Sequence, residues 1–209
     1  GLFLSLPYMS WYSASYNSAL PWTGPWTPLW AYFDVHGLFL FLIFSLLIWD
    51  TARWLRSVYV RSLRGKGATL LVGLLALLVL FAVALFLTVE SYQAALIAVP
   101  LLVWIVVLFF RPKQSRSMQF VLAVAGLAIA LTLAVEFVTL AGDIGRQNTV
   151  FKFYIQAWLL FSVAGGAAFA WLWRSSEEWR GWVRVPWTVI LALLVFVAAL
   201  FPLLSTPAK

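Results

Sequence analysis

Six uninterrupted apolar runs decide what this chain can fold into. They cover Tyr32–Trp49, Thr69–Val89, Ala94–Phe110, Gln119–Leu140, Phe151–Trp173 and Val185–Leu204. A helix of about 20 apolar residues crosses a hydrocarbon core of roughly 30 Å, and in that medium every backbone N–H and C=O needs a partner within its own segment. Membrane β-strands would read as short segments of alternating polarity, and these runs are long and continuous. The expected fold is therefore all-α: a polytopic bundle of about six spanning helices with both termini on the outer face. Composition agrees, with 64% hydrophobic residues, 10% charged and a mean hydropathy of +0.97. Soluble domains carry about a quarter charged residues.

The net charge of +7 is distributed by topology. Arg53, Arg56, Arg61, Arg64 and Lys66 follow the first run, Arg111, Lys113 and Arg116 follow the third, and Arg174, Arg180 and Arg184 follow the fifth. Only Arg146, Lys152 and Lys209 fall on the other side. The positive-inside rule makes the first set cytoplasmic, so the excess charge reports orientation and contact with anionic lipid, and no nucleic-acid partner is expected.

Residues 1–33 differ from the bundle expected over 34–209. They are rich in Trp, Tyr, Ser and Pro and carry no charge before Asp34. An external loop at the membrane surface follows, its aromatic rings serving as interfacial anchors or as faces that stack on sugars and isoprenoid chains. Residue 1 is Gly and no signal pattern opens the chain, so we expect the C-terminal part of something longer. With no Cys and one His, His36, no metal centre or haem attachment is expected, a divalent ion has no support, and no cofactor is identified. His36 reads as an interfacial residue heading the first span. The segment "RSSEEWRGW" reads as a short interfacial helix.

Chemistry concentrates on the expected outer face. Asp34, Glu90, Glu136 and Asp143 fall there and are the candidate catalytic carboxylates, with Glu136 placed about one turn inside its span. The stretch "GDIGRQNTVFKFYIQAW", Gly142 to Trp158, adds Arg146, Asn148, Thr149, Lys152, Tyr154 and Gln156. Asn148 or Thr149 can cap the fifth span, and Thr149, Lys152 and Gln156 then recur on one helical face. A helix N-terminus with Arg and Lys beside it attracts a phosphate at the end of a lipid. The same residues also suit an internal ion pair, Glu136 or Asp143 with Arg146 or Lys152. Both readings stay open at this point.

"RQNTVFKFYIQAW" resembles the signature of the YYY-type multi-pass membrane proteins, Arg-x-Asn-Thr-x-Phe-Lys-x-Tyr-x-Gln-x-Trp, and "TPLWAYFDVHGLFLF" is similar to that family's upstream segment. The family in turn resembles the GT-C class of glycosyltransferases. What the resemblance implies is an integral protein of a bacterial or archaeal cytoplasmic membrane that takes a polyprenyl-phosphate-linked sugar as co-substrate. Arg146, Asn148, Thr149, Lys152, Tyr154 and Gln156 would meet the lipid phosphate. In that class the catalytic carboxylate sits in an earlier external loop, here the missing N-terminal part or another membrane subunit. Two further classes fit the sequence, a non-catalytic structural or assembly subunit and a lipid or anion transporter. The near absence of polar residues in spans two, three and six weighs against the transporter.

Overall fold

The computed structural model describes residues 18–57, 81, 83 and 92–205. Among these lie five helices, α1 (Leu29–Ser57), α2 (Ala95–Phe109), α3 (Arg116–Ala134), α4 (Gln147–Ser176) and α5 (Gly181–Ser205), and two short strands, β1 (Ala19–Pro21) and β2 (Val138–Leu140). Four of the helices, α1, α3, α4 and α5, are long and apolar enough to cross a membrane. Helix α2 has 15 residues, so it rises about 22 Å and falls short of a full hydrocarbon core. The all-α expectation holds for the described residues. The expected span Thr69–Val89 lies outside them except for Phe81 and Val83.

The helices alternate in direction so that the basic residues share one end. The C-terminal ends of α1, α2 and α4 and the starts of α3 and α5 meet there, with Arg111 bonded to Asp50 across two elements. By the positive-inside rule this end is cytoplasmic, and the end carrying the starts of α1, α2 and α4 is the outer one.

The core forms where α1, α3 and α4 stack with α2. Ile43, Leu46 and Leu47 of α1 are wholly buried there, in one cluster with residues such as Ile129, Phe161 and Leu172. Lipid is as apolar as Leu, so close backbone approach does much of the holding. At Gly126 the fit is tight, since a Cβ there would stand 3.3 Å from the Ile105 side chain, whereas one on Gly165 would make ordinary contact with Phe39 at 3.4 Å and Leu42 at 3.5 Å. Gly166, by contrast, faces open space. Helix α5 is the most peripheral, attached to α1 through Trp187, which stacks on Phe41 and donates to Ser45 Oγ at 3.1 Å.

Three sequence expectations change. The fourth apolar run does not stay helical to Leu140: α3 ends at Ala134, residues 135–137 turn, and β2 pairs antiparallel with β1, Ala19 opposite Leu140 and Pro21 opposite Val138. The β-branched Val138 and Thr139 suit a strand, and Pro21 is tolerated at the end of an edge strand. Glu136 accordingly sits in a turn outside the helix rather than one turn inside a span. Likewise "RSSEEWRGW" forms no helix of its own: α4 runs through Ser176, four residues turn, and α5 starts at Gly181. Helix α1 begins at Leu29, three residues before the expected start of the first span at Tyr32, its first N–H donated to Gln93 Oε1 at 2.9 Å.

Candidate functional site

At the outer end the loop before α1, the α3–β2 turn and the start of α4 converge on one carboxylate. Glu136 is fully buried. Its Oε1 lies 3.0 Å from Arg146 Nη1 and accepts from Thr27 Oγ1 at 2.6 Å, while Oε2 accepts the Thr27 backbone N–H at 2.9 Å. Arg146 also donates from Nη1 to the Val135 carbonyl at 2.8 Å and from Nη2 to Thr27 Oγ1 at 2.9 Å. Trp26 Nε1 donates to the Glu136 carbonyl at 3.1 Å, and the Arg146 guanidinium lies over the Trp22 ring, 5.4 Å from its centroid. A charge withdrawn from water at a membrane surface is costly unless opposed and hydrogen-bonded, and here both conditions are met.

A second carboxylate organises the start of α4. Asp143 accepts the backbone N–H groups of Asn148 (3.1 Å) and Thr149 (2.8 Å) and the Thr149 hydroxyl (2.7 Å). The Thr149 hydroxyl in turn accepts the Leu140 N–H at 3.0 Å, so the helix start and strand β2 are joined. The cap is therefore Asp143, not Asn148 or Thr149 as expected from the sequence. An ionised acceptor upstream outcompetes a neutral side chain for the free N–H groups, and the helix dipole adds to it. The chain can turn back this tightly because Gly142 and Gly145 take φ of 81° and 62°, a region that favours glycine. Burial works against ionisation of Asp143, but its bonds from the Thr149 hydroxyl and the N–H groups of Thr149, Asn148 and Ile144 prevail and hold its pKa below the ordinary aspartate value.

The remaining sequence candidates separate. Lys152 and Gln156 are exposed on α4, on the side that carries Phe151 and Ile155. Tyr154 turns inward and stays with the outer cluster: its side chain hydrogen-bonds Thr27, and its ring meets His36 edge-on at 4.7 Å. Asp34 is exposed on α1 and makes no ion pair among the described residues. Glu90 lies outside the described residues. Of the six residues expected to meet a lipid phosphate, then, Arg146 faces Glu136, Asn148 and Thr149 face Asp143, Tyr154 reaches Thr27 from the core side, and Lys152 and Gln156 are exposed.

His36 is not interfacial. It is fully buried two turns into α1, ringed by Tyr32, Tyr154 and Phe161 at 5.1, 4.7 and 5.7 Å, and neither ring nitrogen has a hydrogen-bond partner among the described residues. No group of three or more His, Cys, Asp or Glu able to hold a metal occurs among the described residues.

Sequence reading missed the residues that complete the outer cluster: Thr27, Trp26 and Trp22. They had a signal in the dipeptide Thr27-Pro28, which places a hydroxyl immediately before a helix start. It also missed a network at the basic end, where buried Asp50 accepts from Arg111 Nη2 at 2.9 Å and from Gln114 Nε2 at 2.8 Å.

Residues 1–161 match the family described as uncharacterized membrane protein (DUF2298). The chain belongs to that family. The match takes in the outer cluster whole, from Trp22 through Thr149, and stops inside α4, so α5 lies beyond it. Membership of a membrane family and four helices of spanning length together make the chain an integral membrane protein. No curated protein and no solved structure matches it.

Proposed function

We propose that this DUF2298 chain is the lipid-holding module of a membrane glycosyltransferase of GT-C type, binding a polyprenyl-phosphate-linked sugar at the outer face of a bacterial or archaeal cytoplasmic membrane. The resemblance of Arg146–Trp158 to the YYY-type signature supports it. The observation that carries it is the division of labour on α4. Glu136, Thr27 and Asp143 fix the first turn of the helix, while Lys152 and Gln156, one turn apart, are presented at its exposed surface. A lysine ammonium with an amide beside it suits a phosphate that has a charge to neutralise and oxygens to accept hydrogen bonds.

In this reading Arg146 positions and does not bind. Glu136 and Asp143 are occupied by internal donors and are poorly placed to take a proton from an acceptor hydroxyl. The acid that takes the proton is then supplied by the N-terminal part of the protein or another membrane subunit. The chemistry is attack of the acceptor oxygen on the anomeric carbon, departure of the polyprenyl phosphate, and loss of the hydroxyl proton to a carboxylate.

The test is native mass spectrometry of the detergent-solubilised chain with a polyprenyl phosphate. Lys152→Ala should weaken binding about tenfold, near 1.4 kcal/mol, without lowering the thermal midpoint. Equal binding by wild type and Lys152→Ala overturns the assignment.

A second reading, a non-catalytic structural or assembly subunit, is favoured by one feature: the two anion-attracting elements of the site, the guanidinium and the helix N-terminus, are each satisfied by the chain's own carboxylates. It predicts that no polyprenyl phosphate binds, while breaking the Arg146–Glu136 pair releases a partner protein.

A further inference from the structure

Away from the outer cluster, an apolar groove of about 680 Å³ opens between α1 and α2, with Leu194 of α5 at one side. That size falls within the roughly 300–1,000 Å³ of sites that enclose an organic ligand. On α1 its floor is a helical stripe from Phe33 through Gly37 to Phe44; on α2 it meets Pro100 and Trp104. Phe33 to Phe44 spans about 16 Å of helix rise, close to the ~15 Å depth of one leaflet. The stripe begins near the outer end of α1, so the groove matches the outer leaflet.

Its polar features are few and agree in sign. Asp34 is the one charged residue among the described lining, sits at the outer end, is exposed, and makes no ion pair among the described residues. Pro100 has no N–H to give the Leu96 carbonyl four residues earlier, and Leu96 also lines the groove near that end. Both groups accept hydrogen bonds and neither donates. A phosphate brought to Asp34 would meet repulsion; an ammonium would meet an opposite charge where water is partly excluded.

We propose that this groove binds one acyl chain of an outer-leaflet lipid whose headgroup carries a primary ammonium, with Asp34 receiving the ammonium. The site is separate from the lipid-phosphate site placed on Lys152 and Gln156, and either can stand without the other. Gly37 lines the groove, and a Cβ built there meets nothing within 4 Å, so the space beside it is open to a chain of methylenes.

The experiment reconstitutes the whole chain in phosphatidylcholine nanodiscs containing a tracer of phosphatidylethanolamine or phosphatidylglycerol with a diazirine in its acyl tail, then maps the photolabel by mass spectrometry. The ethanolamine lipid should label the α1 and α2 walls, roughly fivefold above the glycerol lipid, a difference near 1 kcal/mol. Gly37→Leu should remove that labelling and leave the thermal midpoint unchanged, and Ile97→Trp, filling from the opposite wall, should do the same. Asp34→Asn should keep the tail labelling and abolish the headgroup preference. Even labelling over all lipid-facing helices, equal labelling by the two lipids, or labelling unchanged in both filled variants overturns the proposal. So does a full-yield crosslink to residues 58–91 from Gly37→Cys alkylated with a maleimide-linked photocrosslinker, which would make the occupant the chain itself.

Discussion

Arg146 and Glu136 meet at 3.0 Å with the carboxylate fully buried and the arginine side chain 12% exposed. The pair ties the first turn of α4 to the turn after α3, and through Thr27 it binds both to the loop that leads into α1. Three segments distant in sequence are thus held at a single point.

Breaking this pair from one side should be severe. Arg146→Met leaves a buried carboxylate without its counter-charge, a change that costs about 3–5 kcal/mol, whereas Arg146→Met combined with Glu136→Leu should cost appreciably less because no charge is left unopposed. Thermal unfolding of the purified chain in one detergent, run as a double-mutant cycle, measures the difference. Equal destabilisation in the single and double variants would show that the pair carries no coupling.

Asp143 should confer a pH-dependent stability. Its pKa is lowered in the folded chain, so its contribution is complete above the ordinary aspartate value of about 3.9 and disappears as pH falls through the lower folded value. Scans between pH 7 and pH 3 should show a drop at the acid end that Asp143→Ala lacks. At neutral pH the same variant should lose about 0.5–2 kcal/mol, as expected for removal of a helix cap.

At the opposite end Asp50→Ala should strand Arg111 and Gln114 together, since both donate to that carboxylate. The loss should be about 3–5 kcal/mol, as for other buried pairs broken from one side. It should add to that of Arg146→Met, because the two networks share no residue and sit at opposite ends of the bundle. A combined variant that is no less stable than the worse single one would show instead that the two ends unfold separately.

Replacing His36 by Phe should keep or raise the thermal midpoint. Both imidazole nitrogens are buried without partners among the described residues, each such group costing about 1–3 kcal/mol, and the surrounding Tyr32, Tyr154 and Phe161 rings accept another aromatic. A variant that unfolds more easily would mean the imidazole has a partner worth more than those losses. Loss of polyprenyl-phosphate binding with stability intact would give His36 a functional role.

The helical spans were legible because lipid imposes a strong, local signal: α4 and α5 were expected at Phe151–Trp173 and Val185–Leu204 and occupy Gln147–Ser176 and Gly181–Ser205. The end of α3 was not. "FVTL" is apolar enough to continue a span, and only its pairing with Ala19–Pro21 turns it into a strand. That pairing depends on a segment far upstream, which no window of the sequence contains. The outer-face residues were found for the same reason the spans were, since charges stand out in an apolar chain. Their partners could not be read: the sequence left Arg146 a choice between Glu136 and Asp143, and the choice rests on Thr27, which bonds both Arg146 and Glu136 from a segment more than 100 residues upstream. For Asp143 the location was legible and the role hidden, because its cap acts across five and six residues and needs the two left-handed glycines to fold back.

The contact between Thr27 and Glu136 joins residues 109 apart. During synthesis at about 5–20 residues per second, the aromatic segment before α1 therefore emerges several seconds before its carboxylate does. Throughout that interval its tryptophans have neither Glu136 to donate to nor Arg146 to lie against. The segment must wait, outside the membrane, for the third described helix to be threaded and turned, which makes the closing of the outer face a late step in biogenesis and the arrival of Glu136 its timer.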